Sequence, residues 1–422
     1  MDKILAQPIS EQRKIHYYLS GFREWRQESL LFYPIVFMVG AFLLVWITRE
    51  IDIYLMTSVN LSDWWFAPKS IVVTITSSVT SSVLSLLAIG FSISLVALQM
   101  ANAQYSPRVT SIFLRASATK ITVSIFIANY VYSFLLMIEV LRVRVEEISI
   151  ASLLTALLLT FACLIVFILF MKSVMLMIKV TYIITIIDES TQESINENLP
   201  PEKEYTECQA VPLEQPQQVI RYSRLPDKLF TKRYENGVFK AIEHSVLVQI
   251  ATKYNSQIRV IPQYGDFINA GDPVVEVYGE NKLQPKQVLR AIYVEPERSI
   301  YQDPAYGIRM LVDIALQALS PAVNAPTTAH QVILRLTSLL AMIAERPQHT
   351  GVFADEDQHI RLLYTQTTWE EFVDLTFNEI IYYGKDDPQT RKSLTAAFNY
   401  LMKRVPEPLR PPIQQQKALL LS

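Results

Sequence analysis

A run of thirty-six residues without a single charge, from Ile71 to Ser106, constrains this chain more than any other feature; Lys69 precedes it and Arg108 follows. As one continuous helix the run would reach about 54 Å, against a hydrocarbon core of about 30 Å. A helix of that length overshoots the bilayer. Ten of the twenty-four residues from Ile71 to Ser94 are Ser or Thr, which is too polar for lipid on every side. One face therefore asks for a protein or water neighbour.

Four apolar runs have the length of a membrane crossing: residues 31–48, 71–103, 121–140 and 148–171. Lys and Arg near their ends set the orientation. Five precede the first run (Lys3, Arg13, Lys14, Arg23, Arg26), two separate the first and second, three the second and third, and two the third and fourth. The bias alternates and places both termini in the cytoplasm. Trp64, Trp65 and Phe66 stand before Lys69 as an external aromatic belt. A thirty-residue polar stretch precedes the first run and no small-residue cleavage site follows it, so the N-terminus is expected to be retained.

On a helical wheel the second run carries one stripe in steps of four and three: Thr74, Ser78, Ser81, Ser85, Ala88, Ser92, Leu95, Gln99, Asn102 and Ser106. Only Leu95 departs from small or polar character. Two readings stand side by side. The hydroxyls and amides line a pore when copies assemble around an axis, or small residues let neighbouring helices approach while Ser and Thr bond across the contact or back to their own carbonyls. No acidic ring and no carbonyl-filter sequence accompanies the stripe, so no ion type is implied.

In the third run Asn129 falls at mid-membrane, where an interhelical hydrogen bond is expected, and Glu139 lies at the outer end. The apolar pattern of the fourth run continues past Lys172 to Ile187, as a helix leaving the membrane would. A net charge of −2 provides no basic field for nucleic acid. Cys163 and Cys208 are too few for a disulfide framework or a structural zinc site and are expected as free thiols in a reducing compartment.

The second half is charged. Residues 188–218 are polar and Pro-rich and read as a linker. Short strands are expected at 219–225, 237–242, 257–262 and 274–278, with a helix at 244–254. The phrase GDFINAGDPVVEVY, from Gly265 to Tyr278, is similar to hairpins of barrel-sandwich domains but lacks the lysine setting of a biotin or lipoate carrier. After Gln284 the pattern reads as helical. Thr328 to Gln331 and Thr368 to Glu371 have capping-box form, Asp387-Pro388 reads as a cap and first-turn pair, and the tail from Pro406 reads as loosely ordered.

Three phrases together, FSISLVALQMANAQYSPRV (Phe91 to Val109), GDFINAGDPVVEVYG, and YQDPAYGIRMLVDIALQALSPAVNAPTTA (Tyr301 to Ala329), resemble the bacterial predicted membrane proteins grouped as domain of unknown function 2254. The resemblance spans nearly the whole chain. It implies four spans followed by a cytosolic domain in a bacterial inner membrane, and it implies no activity. The family's usual phrase has Asp after the Asn of S-P-A-x-N; here that position is Ala325.

Asp303, Tyr306, Gly307, Arg309, Asp313 and Asn324 fall within the last phrase and form the candidate cytosolic site, with Arg309 and Asp313 at i, i+4 on one helical face. The plainer reading is a helix-hairpin corner at Pro321 to Thr328 and a structural Arg309–Asp313 pair. The five histidines show no metal spacing, and no nucleophile elbow or phosphate loop is present. The acidic loop Asp355, Glu356, Asp357 between His349 and His359 reads as a solvated turn. No enzyme, metal or cofactor is expected.

The fold class expected is a membrane protein with an α-helical transmembrane domain of four spans and a cytosolic α+β domain, in which a small β-rich module precedes a helical one. The boundaries are a cytoplasmic N-terminal segment 1–30, membrane domain with helix extension 31–187, linker 188–218, β-rich module 219–283, helical module 284–405 and tail 406–422. The leading functional reading is a homo-oligomeric ion channel or conduit, with lipid bilayer and ions as partners and pore-lining residues Thr74, Ser78, Ser81, Ser85, Ser92, Gln99 and Asn102. The other is a membrane-anchored sensor or scaffold whose cytosolic domain binds a protein or small ligand.

Overall fold

A computed structural model describes residues 3–8, 32–58, 65–104, 117–142, 147–201, 206–209, 215–226, 233–348 and 351–421. The chain divides into two compact units, Glu24–Lys179 and Met1–Arg23 with Val180–Ser422.

The first unit is built on four long helices: α1 (Phe32–Ser58), α2 (Lys69–Gln104), α3 (Ser117–Arg142) and α4 (Ala151–Met177). α2 is unbroken over 36 residues, as its uncharged sequence predicts. Short strands β2 (Phe66–Pro68) and β3 (Glu147–Ser149) pair antiparallel and tie the start of α2 to the start of α4, helped by the Ile150 amide donating to the Trp65 carbonyl at 3.0 Å. Val72, Ala41, Tyr132, Leu136 and Ala156 form the core at this end, and Val79, Val83, Phe126 and Cys163 the core at mid-height.

The second unit holds α5 (Val180–Asn198), then strands and helices in the order β4 (Thr206–Gln209), β5 (Gln218–Arg221), β6 (Gly237–Ile242), α6 (His244–Lys253), β7 (Gln257–Val260), β8 (Phe267–Ile268), β9 (Pro273–Tyr278), α7 (Pro285–Arg290) and β10 (Ile292–Glu295). α8 (Pro304–Leu319), α9 (Pro326–Ala344), β11 (Val352–Ala354), β12 (Ile360–Tyr364), α10 (Trp369–Gly384), α11 (Pro388–Arg404) and α12 (Arg410–Leu421) complete it. A strand near the N-terminus, β1 (Lys3–Pro8), also belongs here. The main sheet has seven strands in the order β4-β1-β11-β12-β7-β9-β5, and a second has the order β10-β6-β8. Its core is Val274, Val275 and Val277 of β9 with Ile258, Val260, Leu247 and Phe239 around them.

Several expectations change. The sheet is not confined to residues 219–283: it recruits β1, β4, β11 and β12, and β10 falls in the region read as helical. Strands of three to six residues give too few alternating positions to stand out beside helical patterns. β8 and β9 lie in different sheets, so the Gly265 to Tyr278 phrase is not a hairpin; Gly271 at φ +92° turns the chain from one sheet to the other. The segment read as a linker contains the end of α5 and β4. The tail is helical in α12, where Ile413, Gln416 and Leu420 are buried. Thr328 does not cap α9. That helix starts two residues earlier on Pro326, whose fixed φ suits a first helical position, with Ala325 as its cap residue.

Five helices among the described residues are long and apolar enough to cross a membrane: Phe32–Leu55, Lys69–Met100, Thr119–Arg142, Ala151–Met177 and Pro326–Ala344. The last differs from the others, since 56% of its apolar window is buried inside the protein against 17–39% for the rest.

Candidate functional site

The long helix α2 presents two faces with different surroundings. Val72, Thr76, Val79, Val83, Gly90 and Ala97 are buried against α3 and α4. Thr74, Ser78, Ser81, Ser85, Ala88, Ser92, Leu95 and Gln99 are all exposed. Among the described residues, the polar stripe therefore is not a seam between helices of its own chain. The side chain of Asn102, and Ser106 altogether, lie outside the described residues.

Many of the hydroxyls on α2 are turned back along the helix. Thr74 donates to the Ser70 carbonyl at 2.7 Å, Ser78 to Thr74 at 2.9 Å, Ser81 to Ser77 at 3.0 Å and Ser85 to Ser81 at 2.9 Å. Such bonds satisfy each hydroxyl proton internally and leave the oxygen lone pairs facing outward. An outward row of acceptors suits water or a cation better than hydrocarbon. The exposed faces of α1 and α4 show what lipid-facing surface looks like in this protein: Val39, Phe42, Leu43 and Trp46 on one, Leu158, Phe161, Ile165 and Ile168 on the other.

Inside the bundle a second polar group joins α1, α3 and α4. Asp52 accepts a hydrogen bond from Ser152, Tyr132 donates to the Ser152 carbonyl at 3.0 Å, and the Tyr132 and Thr48 hydroxyls meet at 3.0 Å. Deeper, Asn129 donates to Thr160 at 3.2 Å and Cys163 at 3.4 Å and accepts from Ser133 at 3.3 Å. Asn129 thus makes the interhelical bonds its position predicts. Glu139 pairs with Arg49 of α1 at 2.9 Å; the sequence offered no signal for that partner. Both thiols are free and buried, and burial pushes that of Cys208 up.

The cytosolic candidates do not converge. Asp303 caps α8 by accepting from the Tyr306 amide at 3.1 Å, and its other oxygen meets Arg298 at 2.5 Å. Arg298 also lies 5.2 Å from the centre of the Tyr306 ring. Burial raises the Asp303 carboxyl above the usual carboxylate range and outweighs the opposing pull of Arg298 and the backbone amides. Arg309 and Asp313 pair at 2.9 Å, and Arg309 also forks onto both carboxylate oxygens of Glu379 on α10. The hydrogen bonds that Arg309 donates to Glu379 lead in holding it above the ordinary arginine range. Asp313 is about 15 Å along the helix from Asp303, and Asn324, at φ +45°, lies beyond the far end of α8. These residues make a cap, a staple between helices and a corner. Sequence pattern could not supply Arg298 or Glu379, because each is a partner defined only by packing.

Asp355, Asp357 and His359 place ligand-type atoms within 4.8 Å of one another. Asp355 is already engaged by Arg361 Nε at 2.6 Å and by the amides of Asp357 at 3.1 Å and His359 at 2.8 Å. A cation there would have to displace an arginine.

The sequence pattern of a family described as predicted membrane protein (DUF2254) matches residues 27–400. The chain belongs to this family. Uncharacterized proteins of Mycobacterium bovis and Mycobacterium tuberculosis are each 24% identical to it over 358 residues, covering 81% of this chain. The chain spans 66% of the length of those relatives. No solved structure matches it. It is accordingly a membrane protein whose apolar helices contact the lipid bilayer.

Proposed function

We propose that this DUF2254 protein is a homo-oligomeric ion conduit of the bacterial inner membrane. Each subunit contributes four spans, α1 to α4, with both termini in the cytoplasm. The α2 stripes face a shared axis, and the second unit forms a vestibule at the cytoplasmic end. One observation carries the reading: Thr74, Ser78, Ser81, Ser85, Ser92 and Gln99 are exposed on a 36-residue helix, whereas α1 and α4 of the same unit expose Leu, Ile, Phe and Trp. In a bilayer an uncovered polar stripe is stabilised by water or by a second copy, and a ring of copies supplies both.

The number of spans draws support from the main sheet. β1 precedes all four helices and pairs with β4 and β11, which follow them, so the chain between crosses the membrane an even number of times. β7 precedes α9 and β12 follows it, and these two strands are hydrogen-bonded neighbours. A crossing by α9 would separate them.

Particle symmetry in detergent, seen by electron microscopy, and conductance in planar bilayers test the proposal together. The expected particle is a ring with α2 innermost, and Ser85→Leu or Ser92→Leu lowers unitary conductance several-fold. Monomeric particles, or an unchanged conductance in both variants, would overturn it.

A further inference from the structure

A cavity of about 260 Å³ opens on the surface of the first unit, between the later half of α2, the first turns of α3 and the last turns of α4. Gly90, Phe126, Phe167 and Phe170 line its interior, and Phe91 and Leu95, both more than half exposed, stand at its rim. Among the described residues no charged side chain lines it. Of its hydroxyl residues, Ser94 donates to the Gly90 carbonyl at 2.9 Å.

Water needs two to four polar partners to settle in a cavity, and an apolar space without them stays dry or takes up hydrocarbon. The surrounding solvent decides which. This helix bundle lies in a bilayer, and the cavity is open to the side. Its α4 residues begin at Phe167, about 24 Å along that helix from its start. That places it within the acyl-chain region, near the end of the unit opposite the β2–β3 pair.

We propose that this cavity is a binding site for one acyl chain of a membrane phospholipid, held between α2, α3 and α4 of a single subunit. The chain lies against Phe126 and Phe167 and leaves the protein past Phe91 and Leu95. Leu95 is also the one large apolar residue in the polar stripe of α2. The site rests on membrane embedding and on the cavity, and is independent of the proposed conduit.

Full-length protein in vesicles containing phosphatidylglycerol with a photoreactive group in mid-chain, followed by mass-spectrometric mapping, tests this. Labelling is expected to be several-fold denser at Phe91, Leu95, Phe126 and Phe167 than at Leu43 and Trp46 on the exposed face of α1. Gly90→Phe takes up cavity space: Gly90 lines the cavity, and a Cβ there would already be in van der Waals contact with Phe167 and Phe170 at 3.6 Å. That variant should lose the cavity labelling several-fold while labelling on α1 is unchanged. Leu95→Trp narrows the rim from an exposed position and should do the same without disturbing the packing. Even labelling of the cavity and the α1 face would mean boundary lipid only. That result, undiminished labelling in both variants, or labelling by a photoreactive free fatty acid that phosphatidylglycerol does not compete away, would each overturn the proposal.

Discussion

Asp355 shows how one carboxylate can differ from its sequence reading. The acidic run Asp355 to Asp357 reads as a solvated turn, yet the Asp355 side chain is only 6% exposed and closes the β11–β12 loop through Arg361 and two backbone amides. Arg361 reaches on to Asn255 at 3.0 Å in the turn between α6 and β7. Burial pushes the Asp355 carboxyl up, but the hydrogen bonds from Arg361 and the His359 amide prevail and hold it below the usual carboxylate range. The sign follows. A carboxyl with a depressed pKa in the folded state contributes stability above its unfolded pKa, about 3.9, and loses that contribution as pH falls through the lower folded value. Asp355→Asn should therefore lower the stability of the purified protein at pH 7, by about 1–2 kcal/mol as for loss of hydrogen bonds to a charged group. The difference from wild type should narrow below pH 4. Thermal unfolding at pH 7 and at pH 3.5 checks this; a deficit as large at pH 3.5 would mean the substitution acts through packing.

Between elements, α5 and α8 cross closely. Gly307 faces Thr191, and a Cβ at position 307 would collide with the Thr191 side chain. Thr191 cannot simply swing aside, because it is fully buried and its hydroxyl is bonded to the Ile187 carbonyl at 2.6 Å. Gly307→Ala should cost about 1–3 kcal/mol by overpacking, read as a lowered unfolding midpoint with α8 still helical. An unchanged midpoint would show that the two helices separate at little cost. This element level is where the sequence is most legible. Thr368 and Glu371 form the capping box their spacing predicts, and Asp387 caps α11 through the Thr390 amide at 2.7 Å, since both devices are encoded within four residues. The strands are a different matter. β11 has three residues, and its partners β1 and β12 lie at opposite ends of the chain's numbering and next door. Nothing local to Val352–Ala354 announces a pairing with residue 7.

At the scale of the whole molecule, that same non-local pairing constrains how the chain can thread a membrane. The uncharged run from Ile71 leads to the expectation of a long helix with one polar face, and the structure shows the face bare on a 36-residue α2. Hydropathy alone cannot separate α9 from the four long helices of the first unit, because burial in a protein core and burial in lipid select similar residues. The proposed four-span reading separates them through the sheet, since strands on either side of α9 are bonded to one another. Single cysteines placed at Ser70, Asn281 and Lys392, all exposed positions, turn this into an experiment with a membrane-impermeant maleimide. In intact cells only the cysteine at position 70 should react. Those at 281 and 392 should react together, and only after the inner membrane is made permeable. Reaction of 281 and 392 from opposite sides would place α9 across the bilayer and break the sheet; reaction of all three from one side would mean that α2, α3 and α4 do not each cross, and would remove the four-span threading on which the conduit depends.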